Sequence, residues 1–225
     1  MKITVIPTGT IETYLHLHAR PLVRDTGIRI SVPVPCYLIE HDGKKILFDA
    51  GQIVPEREQD PMANYFVRVT YEEIAVNRLA AMNITHDDID YVVISHAHGD
   101  HCNGLKYFPH CKVIAQKAAV EQLKRFENEF VPADGIFDVS GDGRVVCIPT
   151  PGHAPGHQSL LLTCDDGSKI LLVGDVIYMP EALEYLPTEQ EYAEKTDYFN
   201  SISLIRSMQN DGVQLWFGHH PYTFV

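Results

Sequence analysis

The sequence predicts an α/β layered domain, two sheets covered by helices, and three observations carry that expectation. Short apolar, β-branched runs alternate with stretches of helical periodicity. Two pairs of those runs are joined by tight polar turns. Several of the runs stop abruptly at Ser, Gly or Pro, and a His or Asp follows at once.

Taken in order, residues 3–7 (ITVIP), 34–40 (VPCYLIE) and 44–51 (KKILFDAG) read as early strands, the last two joined through His41-Asp42-Gly43. Residues 71–82 place Ile74, Ala75, Leu79 and Met82 on one stripe and read as a helix. Residues 91–95 (YVVIS) form a short, fully apolar strand. Residues 111–115 (CKVIA) read as a strand, 116–128 as a helix and 144–150 (RVVCIPT) as a strand running into Pro151-Gly152. Residues 157–164 and 168–175 flank the turn Asp165-Asp166-Gly167, a second hairpin. Residues 196–210 are helical with Phe199, Ile202, Ile205 and Met208 as the buried stripe, and 213–218 (VQLWFG) is the last strand. Strands in meanders with helices between them fit two covered sheets. No linker, repeat or low-complexity tract divides the chain, so one domain over 1–225 is expected.

Composition narrows the function. With 45% hydrophobic and 21% charged residues, the 225-residue chain is an ordinary globular mix, long enough to bury a sizeable core. Its formal net charge of -12 repels phosphate backbones, so no nucleic-acid partner is expected. No stretch approaches the roughly 18 apolar residues of a bilayer span, so no membrane partner is expected either. The N-terminal apolar run is too short for a signal-peptide core. Five cysteines without a CxxC pair read as free thiols in a cytoplasmic protein.

The chemistry concentrates in the histidines. HAHGDH (residues 96–101) packs His96, His98, Asp100 and His101 into a loop leaving a strand, and His153, Asp175 and His219 each follow another strand end. Imidazole and carboxylate are a suitable donor set for zinc. Seven ligands are too many for one tetrahedral ion and fit two, with Asp175 shared because a carboxylate has two oxygens. A bridging hydroxide between such ions would be the nucleophile. His219 is favoured over His220 because it follows Gly218 directly. His157 reads as a supporting residue, His16, His18, His41, His86 and His110 as surface or structural, and Cys102 as a small packing residue.

HAHGDH, TPGHAPGHQS, GD and GHH, in that order and preceded by FDAG, resemble the metallo-β-lactamase superfamily along almost the whole chain. The resemblance implies a four-layer αβ/βα sandwich, two mixed sheets flanked by helices, with the metals at one edge and Asp49 as a buried orienting residue. β-Lactamases of the superfamily carry Cys where Asp175 stands, and flavodiiron proteins carry an acidic residue where His98 stands. The pattern is most similar to quorum-quenching N-acyl homoserine lactonases, which VPCYLIE before FDAG and Tyr178, three residues after Asp175, both resemble. The stretch between Gly104 and Pro149 is shorter than in that group, and the sequence runs only six residues past His219, so the resemblance covers the chemistry better than the acyl pocket.

The resemblance implies a metal-dependent lactonase-like hydrolase acting on a small lactone or ester as monomer or homodimer. It would hold two Zn2+ per chain, with Mn, Fe or Co as other occupants of such a site. Tyr178, otherwise a packing aromatic, would stabilise the oxyanion, and Asp100 would shuttle a proton to the leaving group. Residues 180–196, acidic and broken by proline, read as a loop or short helices that are either a solvated face or a substrate lid. The alternatives are a thioester hydrolase of the glyoxalase II type or another esterase or phosphoesterase on this fold. An iron-dependent sulfur dioxygenase or a non-catalytic metal module lies further off.

Overall fold

Two sheets lie face to face. The computed structural model describes residues 1–19 and 27–220. The first sheet is built from β1 (Lys2–Tyr14), β2 (Arg29–His41), β3 (Lys44–Phe48), β4 (Tyr65–Arg68), β5 (Tyr91–Val93), β6 (Lys112–Gln116) and β7 (Glu129–Ala133). Their order is β4-β1-β2-β3-β5-β6-β7, antiparallel from β4 to β3 and parallel from β3 to β7. The second sheet takes β8 (Phe137–Asp138), β9 (Val145–Pro149), β10 (Gln158–Thr163), β11 (Lys169–Gly174) and β12 (Gln214–Phe217), in the order β12-β11-β10-β9-β8.

The layering follows from the period of two along each strand. Ile39, Ile46, Phe48 and Val93 turn inward and meet Val145, Cys147, Leu160, Leu162 and Leu172 of the second sheet in one buried cluster. Their neighbours Leu38, Leu47 and Val92 turn outward against Leu79 of α2 (Ala75–Ala80) and Val120 of α4 (Lys117–Leu123). On the far side Leu171 and Val173 pack against Phe199, Ile202 and Ile205 of α6 (Thr196–Asn210). The layers are therefore helix, sheet, sheet, helix, the expected α/β architecture. Burying both faces of a sheet is what makes its strands read as continuous apolar runs.

Several elements depart from the sequence reading: β2 starts at Arg29 rather than residue 34, and β4, β7 and β8 are strands that reading lacks. β1 continues past Pro7 to Tyr14 through a register shift at Gly9, whose φ of +93° and close approach to the Arg68 carbonyl only glycine accommodates. The helix expected over 71–82 is split. A 3-10 turn, Tyr71–Glu73, is capped reciprocally by Thr70 and Glu73, Ile74 is extended, and α2 starts at Ala75. The helix expected over 116–128 ends at Leu123. The short helices α1 (Leu15–His18), α3 (Gly99–Cys102) and α5 (Glu189–Glu194) complete the structure, and no described helix is long and apolar enough to cross a membrane.

Candidate metal centre

Strand ends of both sheets open onto one edge, and each delivers polar groups there. β3 is followed by Asp49, β5 by Ser95, His96 and His98, β9 by Thr150 and His153, β11 by Asp175 and Tyr178, and β12 by His219. Within HAHGDH the chain turns into α3, which carries Asp100 and His101 and leaves the His101 ring 4.2 Å from that of His96.

All seven residues singled out in the sequence meet here, in two groups that share one carboxylate. His96, His98, His153 and Asp175 form the first and Asp100, His101, Asp175 and His219 the second. In each, the candidate ligand atoms lie within 4.8 Å of one another. Asp175 divides its oxygens between them. Its Oδ2 lies 3.5 Å from His153 Nε2 and 3.7 Å from His96 Nε2. Its Oδ1 lies 3.1 Å from His101 Nε2 and 3.2 Å from His219 Nε2. Asp100 Oδ2 closes the second group, 3.4 Å from His101 Nε2 and 3.3 Å from His219 Nε2.

The imidazoles are aimed from behind. His101 Nδ1 donates to Asp49 Oδ2 at 2.7 Å, and His219 Nδ1 donates to the Pro33 carbonyl at 2.6 Å. His96 Nδ1 pairs with Ser95 Oγ at 3.0 Å. These bonds leave the Nε2 atoms facing inward, the tautomer control typical of ligating histidines. Asp49 also accepts from the Ser95 backbone N–H at 2.7 Å and from Ser95 Oγ at 2.9 Å, so one carboxylate braces both groups. His157 is spent structurally. Its Nδ1 lies 2.9 Å from Thr150 Oγ1 and its Nε2 accepts from the Asp175 backbone N–H at 3.0 Å. Cys102 is buried, and burial pushes its thiol up to about 11, which suits packing.

The donor set fits a pair of cations. Among the described residues, buried His96 Nε2, His101 Nε2 and Asp175 Oδ1 have no hydrogen-bond partner, a costly arrangement unless something pairs with them. Burial works to protonate Asp175 and Asp100, yet the facing imidazoles outweigh it and hold both carboxyls well below the usual range. Burial also opposes charge on His219, but Asp175 and Asp100 raise it to about 10. The second group thus favours positive charge on His101 and His219 against their own burial.

In front of the two groups opens a cavity of about 360 Å³. Its far wall is apolar, from Ile11, Leu17, Val32 and Val67. A second cavity of about 320 Å³ shares Tyr178, His153 and Asp175 with it and reaches Glu191 and Lys195, so residues 180–196 lie beside the site as a 3-10 turn and α5. Tyr178 stands between the two, its hydroxyl 3.5 Å from His153 Nδ1. Burial first, then Asp175 and Asp100, push this phenol well above its ordinary value and keep it a donor.

Among the residues of the site that sequence reasoning did not single out, Ser95 and His18 contrast. Ser95 had a signal, as the polar stop of an apolar strand next to the motif. His18 had none. Read as surface or structural, it is buried, lines the cavity and stacks on Tyr178.

Known proteins share this sequence pattern and this fold. Residues 30–202 match the model of the Metallo-beta-lactamase superfamily. The N-acyl homoserine lactonase AttM of Rhizobium radiobacter is 27% identical over 249 residues, covering 98% of this chain and 94% of that protein. The N-acyl homoserine lactonase AiiA of Bacillus thuringiensis subsp. kurstaki is 31% identical over 173 residues, 70% of this chain and 69% of that protein. A solved structure of a B. thuringiensis AiiA variant with N-decanoyl-L-homoserine at its active site superposes with a TM-score of 0.84 at 25% identity, over 99% of this chain and 94% of that one. The chain belongs to the Metallo-beta-lactamase superfamily.

Proposed function

We propose that this superfamily member is a two-zinc hydrolase that opens lactone rings of the N-acyl homoserine lactone class. The observation that carries the reading is the split of Asp175 between two ligand groups, in a cavity that Tyr178 and apolar side chains also line. His96, His98 and His153 would hold one ion, Asp100, His101 and His219 the other, and Asp175 both. Bound there, two zinc ions supply Lewis acidity toward an ester carbonyl and a water whose pKa is lowered to near 7.

The remaining work falls to the chain. Ile11, Leu17, Val32 and Val67 offer an acyl chain a surface from which water is excluded. With the chain lodged there, the ester carbon stands at the carboxylate-imidazole floor and the carbonyl oxygen faces the Tyr178 hydroxyl. Water adds to the carbonyl carbon, and Tyr178 donates to the oxyanion that forms. Asp100, at the cavity wall, takes the proton lost by water and returns it to the ring oxygen as the C–O bond breaks. The product is one hydroxy acid, with both halves of the ester retained. A preorganised donor such as Tyr178 is worth about 2.7–4 kcal/mol in the transition state.

A substrate panel with metal quantification tests the reading. An N-acyl homoserine lactone is turned over well ahead of an acyl-glutathione thioester and bis-p-nitrophenyl phosphate. Preference for the thioester or the phosphodiester overturns the lactone assignment while keeping the hydrolase. In the Tyr178→Phe variant zinc content stays at the wild-type level and lactone turnover falls about 100-fold or more. An unchanged rate removes Tyr178 from the chemistry.

A further inference from the structure

We propose that His18 is a positioning residue for Tyr178, its imidazole stacked on the phenol ring so that the hydroxyl is held over the centre; the inference rests on the lactonase reading above.

The geometry is specific. The rings of His18 and Tyr178 lie 4.9 Å apart and 18° from parallel. Tyr178 also meets His153 edge-on at 5.8 Å and His219 tilted at 5.7 Å. Its ring is therefore caged by three imidazoles. Two of them are themselves aimed at the centre, His153 by its Nε2 and His219 through its bond to Pro33. His18 is the part of the cage that comes from outside the centre, at the end of α1 just beyond β1.

Among the described residues the buried Nε2 of His18 has no hydrogen-bond partner, so the ring contact is what the structure shows the residue making with Tyr178. Burial holds the imidazole down to about 4, so at neutral pH it is uncharged and adds no repulsion beside a cation site. What the residue supplies is an aromatic face, and offset stacked pairs of this kind are favourable beyond the area they bury. Tyr178 follows β11 by four residues in a loop, so its side chain depends on such contacts for one orientation.

The test is a double-mutant cycle with metal content measured in every variant. His18→Ala lowers kcat for lactone hydrolysis about 3- to 10-fold, with zinc content unchanged. His18→Phe, which keeps an aromatic face, restores most of the loss. In the Tyr178→Phe background, His18→Ala costs nothing further, because the group it positions is already gone. A crystal structure of His18→Ala shows the Tyr178 ring displaced from its place beside His153. The proposal is overturned if the two substitutions multiply, if Phe is as poor as Ala, if His18→Ala sheds zinc, or if the Tyr178 ring stays in place. A zinc-loaded wild type inert to lactones overturns the lactonase reading instead, and the ring position in the crystal still decides whether the stack holds Tyr178.

Discussion

Replacing Asp49 with Asn separates the two halves of the centre. Asp49 touches no candidate ion position, yet its Oδ2 accepts from His101 Nδ1 at 2.7 Å and from Ser95 Oγ at 2.9 Å, and its Oδ1 accepts from the Ser95 N–H at 2.7 Å. Its backbone sits at φ +60°, a region Asn tolerates as well as any side-chain-bearing residue, so the substitution keeps shape and backbone, removes the charge and replaces one acceptor oxygen with an NH2 donor. Loss of such a supporting carboxylate costs about 10- to 100-fold in metal affinity. That is about 1.4–2.7 kcal/mol, and it falls on the group that contains His101. His96, reached only through Ser95 Oγ, keeps its Nε2 facing inward. Chelator-competition titration of zinc resolves the two steps. One step loosens by one to two orders of magnitude while the other moves far less, and cobalt or zinc located by anomalous diffraction at low loading sits with His96, His98 and His153. An Asn variant that binds both ions as tightly as wild type, or that empties the His96 group first, rules out Asp49 as the brace of the His101 group.

Two further outcomes follow from the geometry. Gly152 has φ +129°, and a Cβ there would lie 2.3 Å from Tyr198 Cα, so Gly152→Ala pushes the chain off α6 and drags His153 with it; zinc titration shows the His96 group weakened, and an unperturbed titration counts against this reading of the turn. His18 has a folded value of about 4 against an ordinary 6.5, so the native state refuses a proton that the unfolded chain accepts below pH 6.5. Its burial therefore costs stability progressively as pH falls from 6.5 toward 4 and nothing above that window. In metal-free protein His18→Phe gains on wild type by up to about 1.4 kcal/mol per pH unit there, measured by urea unfolding at pH 6.5 and pH 5; equal slopes contradict it.

Much of this site was legible in the sequence for a physical reason. Strands buried on both faces read as unbroken apolar runs, so the polar residue that ends each run stands out, and at Ser95, Gly174 and Gly218 the next residue is His96, Asp175 or His219. The helix over 196–210 was read with the bounds it has, because Phe199, Ile202 and Ile205 repeat at helical spacing against one core. Edge elements were less legible. β7 contains Pro132, which argues against a strand except at an edge, where β7 lies. β4, also an edge, packs Val67 on the small cluster of Ile11, Val32 and Val34, and only the fold reveals that Ile11, Val32 and Val67 wall the cavity. The helix over 71–82 broke at Ile74 because the Thr70 and Glu73 caps end one turn before the apolar stripe begins another. His18 and the bracing of two groups by Asp49 through Ser95 are long-range contacts, which neither spacing nor composition encodes.

If seven side chains hold two cations through one shared carboxylate, the metal content of the protein depends on Asp175. Elemental analysis of the zinc-saturated chain beside its Asp175→Asn variant tests it directly. Two zinc ions per chain in the wild type, and fewer than one in the variant, is the predicted result; a single ion in the wild type, or a variant that retains both, contradicts it.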